Sequence, residues 1–161
     1  MTMRVGHGFD VHPFSDDASR ALVLGGVVFT GERGLVGHSD SDVIAHAVSD
    51  ALLGAAALGD IGQLFPDDDP SIAGADSISL LADVAGRVRD AGWTPVNVDC
   101  TVVLEAPKLA PRRADMQAKL SAAAGCDVTV KGKRAEGLGA LGRREGVACF
   151  AIALVERAEQ R

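Results

Sequence analysis

Residues 34–60 read GLVGHSDSDVIAHAVSDALLGAAALGD, and the order of residue types within them sets the expectations for the rest of the chain. Ser39, Asp40, Ser41 and Asp42 form an unbroken row of N-cap residues, followed by a run rich in Ala and Leu. A helix over roughly Val43 to Leu58 is expected, carrying His46 and, one turn later on the same side, Asp50.

Upstream lies RVGHGFDVHPF, residues 4–14, which reads as a strand. Alternate strand residues share a face, so Asp10 and His12 point the same way. With His46 they make two imidazoles and a carboxylate without thiolate. That donor set suits zinc with one coordination position open, which means catalysis or substrate binding. The same residues also read as a strand end capped by His12 and a core histidine at His46. His7 sits on the part of the same strand that reads as buried, and it reads as structural. His38 and Ser39 stand before a helix N-terminus, where free N–H groups and a positive dipole attract phosphate. Ser39 could equally serve as a cap alone.

Downstream, a second helix is expected near Asp76 to Ala91, with an apolar stripe of Ile78, Leu81, Ala82, Ala85 and Val88. WTPVNVDCTVVLEAP then reads as a strand with Val96, Val98, Cys100, Val102 and Leu104 on one face. A helix over 108–124 tolerates Pro111 only in its first turn. Val128 to Lys131 reads as a short strand, and Val147 to Val155 as a final strand apolar on both faces. Such a strand needs cover on both sides, so a second subunit is expected over one of them. The chain of 161 residues suits one domain, 1–161, without repeat or linker.

Composition narrows the partners. A net charge of −6 argues against nucleic acid or an anionic membrane as partner. With aromatic residues at 4% and no tyrosine, there are few rings on which bases could stack. Three cysteines without a C-x-x-C pair fit reduced thiols. There is no leader-like N-terminus and no apolar run long enough to span a bilayer, so the chain is expected to be soluble and cytoplasmic. Against this acidic background, KGKRAEGLGALGRREG at 131–146 is the densest cationic run, fit for phosphates or for solvent alone.

GHGFDVHPF, GHSDSDVIAHAVSDALLGAAALGDIGQLFPDDDP, EAPKLAP and GLGALGRREG follow one another along the chain. Together they closely resemble the 2-C-methyl-D-erythritol 2,4-cyclodiphosphate synthase family, over nearly the whole length. The resemblance implies an α/β (α+β) fold, a mixed sheet with helices packed on one face. It also implies a homotrimer whose sheets face its axis and whose active sites lie between subunits. The substrate implied is 4-diphosphocytidyl-2-C-methyl-D-erythritol 2-phosphate, cyclised with release of CMP.

By the same resemblance, Asp10, His12 and His46 match zinc ligands, and His38 and Ser39 a substrate-positioning pair. Asp60, Ile61, Gly62, Phe65, Pro66, Asp67, Asp68 and Asp69 match the loop around the methylerythritol. Ala106, Pro107, Lys108 and Leu109 match part of the cytidine pocket. Glu136 matches the carboxylate for a second divalent ion, magnesium or manganese. Arg143 and Glu145 match positions near the trimer axis, where a prenyl diphosphate sits in some members.

One departure stands out. The family usually reads K-A-T-T-x-E before G-L-G, and this chain reads Lys131-Gly132-Lys133-Arg134-Ala135-Glu136. Lys133 and Arg134 are therefore expected to replace two threonine hydroxyls at the CMP phosphate, with Arg134 acting in catalysis beside His38. Ala140 replaces the usual phenylalanine after G-L-G. Two other readings stay open: a zinc-dependent phosphoester hydrolase with Asp50 as base, and a trimeric isoprenoid-binding protein with a structural metal.

Overall fold

A computed structural model describes residues 2–66 and 68–157. In chain order the elements are β1 (Met3–Pro13), β2 (Leu22–Leu24), β3 (Val27–Phe29), α1 (Val43–Ala56) and α2 (Ile61–Leu64). They continue with α3 (Ser77–Asp90), β4 (Trp93–Val103), α4 (Arg113–Ala124), β5 (Asp127–Lys133), α5 (Gly139–Gly142) and β6 (Gly146–Arg157). The main sheet runs β1-β6-β4-β5, and β2 and β3 form a separate hairpin. β6 is antiparallel to both β1 and β4, whereas β4 and β5 are parallel and joined through α4. This is a mixed sheet with α1, α3 and α4 packed against it.

The seating of α1 on β1 sets the architecture. Gly6 and Gly8 face the helix, and a Cβ on them would lie 2.0 Å from the Ala51 carbonyl oxygen and 1.9 Å from that of Ala47. The helix answers with Ala47, Ala51 and Ala55, all buried and spaced by one turn each. Small residues on both sides let the two backbones approach, so the next two positions on that strand face, Asp10 and His12, arrive at the helix's first turn.

Asp42 fixes that first turn. Its carboxylate accepts from the Ile44 and Ala45 N–H groups as N-cap, and from Gly25 and Gly26 at 2.9 and 2.6 Å. Gly25 and Gly26 hold φ of +57° and +71°, a turn that presents both N–H groups inward. Burial pushes the Asp42 carboxyl up, and the N–H groups of Gly26 and Gly25 pull it back. The helix closes with Ala57 in the left-handed region, its N–H on Gly54 and the Leu58 N–H on Leu53. That is a Schellman ending with alanine where glycine is usual, and it stops the helix short of Leu58.

Three expectations are corrected. Val96 is not on the buried face of β4, because the register shifts between Pro95 and Asn97 and leaves it as an exposed bulge. In α3, Val84 is buried and Ala82 exposed, since the helix also packs sideways onto α1 and α4. His7 is not buried. It lies on the helix-free face of the sheet, its ring 6.4 Å from Phe150.

That open face is apolar over β1 and β6. Val5, Phe9, Phe150 and Ile152 are 66%, 45%, 43% and 45% exposed, and the Phe9 and Phe150 rings lie 4.9 Å apart. Among the described residues, no helix is long and apolar enough to cross a membrane.

Gly8→Ala is expected to destabilise the fold by about 3 kcal/mol. The methyl meets backbone, which cannot rotate away. Urea unfolding measures the loss, and an unchanged midpoint would refute the close seating of α1.

Candidate active site

Asp10, His12 and His46 converge. Asp10 Oδ2 lies 2.9 Å from His12 Nε2 and 3.0 Å from His46 Nδ1, and the two ring nitrogens are 3.3 Å apart. Each of the three side chains offers one donor atom, and all three atoms fall within 4.8 Å of one another. Burial raises the Asp10 carboxyl, but the hydrogen bonds and charges of His12 and His46 outweigh it and hold it well below the usual range. Burial lowers the His46 imidazolium, yet the Asp10 hydrogen bond and charge carry the net direction upward.

The far nitrogen of each ring is also held. His12 Nδ1 donates to the Val36 carbonyl at 2.7 Å, which leaves Nε2 free as a ligand atom. His46 Nε2 lies 2.9 Å from Ser77 Oγ, and Ser77 Oγ donates in turn to Asp40 through a very short bond. A hydroxyl passing its proton to a carboxylate keeps its lone pair for the imidazole N–H. This chain therefore turns His46 Nδ1 toward Asp10. Ser39 Oγ stands 3.3 Å from the same His46 nitrogen.

The loop that carries His38 and Ser39 is clamped by Arg20. Its Nε donates to the Leu35 carbonyl at 2.7 Å, and its Nη2 to the Ser39 carbonyl and Ser41 Oγ, both at 2.9 Å. Ser41 holds φ of +61° in this loop. A Cβ at Gly37 would lie 2.4 Å from Ser41 Oγ and 3.2 Å from His12, so any side chain there would displace Ser41. Neither Arg20 nor the Ser77–Asp40 pair was legible as site residues. Ser77 meets His46 across 31 positions and Asp40 across 37, and Arg20 meets Ser39 across 19, through contacts that no motif spacing encodes.

Above the triad lies a cavity of about 160 Å³ whose lining includes His12, His38, Ser39, His46, Ile61, Gly62 and Phe65. Asp60 caps α2 through the Gln63 N–H at 2.9 Å, and Pro66 and Asp68 are exposed in the turn that follows. Asp69 closes that turn with its N–H on the Pro66 carbonyl, and Asp67 lies outside the described residues. Asp50 is not a member of the metal-ligand group. It accepts from the Ile61 N–H at 2.7 Å and so ties α2 to α1.

A second pocket, of about 210 Å³, lies between the ends of β4 and β5. Pro107, Lys108 and Leu109 line one wall, Lys133 and Arg134 the other, and Ala106 faces a neighbouring cleft beside Phe14. Arg134 is turned onto Glu105, and Arg143 onto Glu145 at 2.7 Å. Glu136 is exposed, at φ +53°. The two pockets share no lining residue, so on one chain the triad and the second pocket are separate.

A family model described as the YgbB family matches residues 3–156. A protein of Bordetella petrii named 2-C-methyl-D-erythritol 2,4-cyclodiphosphate synthase is 54% identical over 158 residues, 96% of each chain. One of the same name from Yersinia enterocolitica is 50% identical over 98% of this chain and 99% of its own. Among solved structures, IspF of Plasmodium falciparum in complex with CDP superposes with a TM-score of 0.83 at 31% identity, covering 98% of this chain and 97% of that one. The bifunctional IspDF of Campylobacter jejuni gives 0.92 at 38% identity over 98% of this chain, which spans 43% of that longer protein.

Ser77→Ala is expected to weaken divalent-metal binding at this group roughly 10- to 100-fold with the fold retained. Metal affinity should also fall as the pH is lowered, by up to about tenfold per pH unit once His46 is protonated. An ion at this group would have to displace the proton that Asp10 holds on His46, and a raised imidazole value moves that competition upward in pH. Competition titration with a chromophoric chelator at pH 6 and 7.5 reads both effects.

Proposed function

This chain belongs to the YgbB family, and on that premise we propose that it makes 2-C-methyl-D-erythritol 2,4-cyclodiphosphate in isoprenoid biosynthesis. The substrate is 4-diphosphocytidyl-2-C-methyl-D-erythritol 2-phosphate. Its 2-phosphate oxygen attacks the β-phosphorus, the bond from that phosphorus to the CMP oxygen breaks, and CMP leaves. No water is consumed, and the enzyme is a cyclising phosphorus–oxygen lyase acting as one domain over residues 1–161.

The observation that carries the reading is the convergence of Asp10, His12 and His46 beneath the cavity edged by His38 and Ser39. Two imidazoles with their far nitrogens held, plus one carboxylate, fit zinc. Glu136 is the carboxylate for a second divalent ion, magnesium or manganese, shared with substrate phosphates. When bound, the two ions offset repulsion between the phosphates and stabilise charge in the transition state.

The chain's own residues do the positioning. His38 and Ser39 hold the phosphates beside the triad. Ile61, Gly62 and Phe65 close over the methylerythritol, with Asp60 and the acidic turn as hydroxyl acceptors. Bending a flexible polyanion until nucleophile and phosphorus align removes an entropic part of the barrier.

The cytidine is held by Ala106, Pro107, Lys108 and Leu109 of a neighbouring subunit in a homotrimer. Two facts support this arrangement: the separation of the two pockets on one chain, and the open apolar face of β1 and β6. The CDP complex of the Plasmodium falciparum relative fits a cytidine diphosphate-linked substrate. Light scattering of the purified chain reads the trimer mass directly.

Phosphorus NMR of the protein with substrate, zinc and magnesium should show cyclic diphosphate and CMP appearing together. Linear phosphates with inorganic phosphate would instead mark a hydrolase. His46→Ala should lower turnover by more than the roughly 100-fold expected from loss of an outer-shell partner.

A further inference from the structure

Arg134 lies where the sequence leads one to expect a phosphate ligand, but its guanidinium is directed elsewhere. Nε and Nη2 both donate to Glu105 Oε2, at 3.0 and 2.9 Å. The other carboxylate oxygen, Oε1, accepts the Gly137 N–H at 3.3 Å. The Glu105 side chain is only 4% exposed, whereas Arg134 is 63% exposed. An ion pair between two freely exposed side chains contributes little, but here one partner is enclosed and bonded on both oxygens.

The pair has a fixed place in the fold. β4 and β5 run parallel, with Val103 opposite Lys133, and the Leu104 N–H continues the ladder onto the Lys133 carbonyl. Glu105 and Arg134 are thus the first residues past the paired ends of two neighbouring strands. The segment after β4 bears Pro107, Lys108 and Leu109, and the segment after β5 leads to Glu136 and Gly137. Glu105 holds one segment to the other, through Arg134 and through Gly137.

We propose that Arg134 is a positioning residue. Through Glu105 it braces the two walls of the nucleotide pocket, and it does not itself bind the phosphates. Charge supports this assignment. A carboxylate in contact with the guanidinium offsets its charge toward an anion, and Arg134 holds Glu105 below the usual carboxylate range, so the carboxylate stays charged. Lys108, Arg113 and Lys133 line the same pocket and supply the cations. In place of the usual threonine, this chain has put a mechanical link between the loop that reads the cytidine and the loop that carries Glu136. The inference rests on reading this pocket as the nucleotide site.

The test compares the unaltered protein with R134T, E105Q and the double variant, using CDP as the probe in calorimetry. Arg134→Thr should weaken CDP about tenfold by itself, and less than about twofold when Glu105→Gln is already present. In turnover, R134T should raise KM with kcat within about twofold, a split that general loss of fold would not give. Hydrogen exchange without nucleotide should speed up around Gly137 in all three variants. An equal CDP loss from R134T in both backgrounds would make Arg134 a direct ligand and overturn the proposal, as would no loss in either. Unchanged exchange would overturn the brace. Absence of CDP binding by the unaltered protein would instead overturn the reading of the pocket.

Discussion

The contact of α1 with β1 is the constraint on which the rest depends. Two glycines on the strand and a row of alanines on the helix bring the backbones to a separation that no β-carbon at Gly6 or Gly8 would allow. At that separation, the strand face that is empty at Gly6 and Gly8 becomes the ligand face at Asp10 and His12. The helix face that is alanine at 47 and 51 offers His46 one position earlier. Were the helix a few tenths of an ångström farther away, His46 would lose its 3.0 Å contact with Asp10. Close packing and ligand convergence are therefore one geometric fact.

Polar contacts then lock this arrangement from behind. Asp42 joins the helix start to the Gly25–Gly26 turn, and Arg20 holds the intervening loop by its carbonyls. Ser77 and Asp40 reach in from the start of α3 and hold the outer nitrogen of His46. A metal-binding set would need its rings oriented before an ion arrives, and each ring here is fixed at the nitrogen turned away from Asp10. The carboxylates closest to the triad do different work. Asp10 is a candidate ligand, Asp40 an orienting group, Asp42 a cap and Asp50 a tether for α2.

The sheet's other face has a second role. Its apolar half over β1 and β6 lies opposite the site, separated from it by the thickness of the sheet. Strands buried by helices on one side and left apolar on the other suit an assembly in which copies cover each other. The same arrangement accounts for an acidic chain acting on an anion. Asp10 and the two imidazoles could hold a cation at one pocket, while Lys108, Arg113 and Lys133 line the other.

The sequence by itself determined the helix start at the run of cap residues, the strand that carries Asp10 and His12, and the place of Pro111 at the head of the fourth helix. Each is set by neighbours a few positions apart, through capping, alternation and turn geometry. It also offered Asp10, His12 and His46 as a candidate metal-ligand set, because an alternating strand pair and a histidine in the first helical turn are local patterns, while their convergence is tertiary. The tertiary structure alone decided which polar residues stand behind those ligands. Ser77 and Arg20 act through contacts that span 31 and 19 positions. It decided that His7 faces outward, since the strand's parity is fixed by which side meets α1. It decided the bulge at Val96, which depends on pairing with β6. It also turned Arg134 onto Glu105, where the sequence offered only a cation near a phosphate site. Direction is a property of the enclosed carboxylate across the strand ends, 29 positions away.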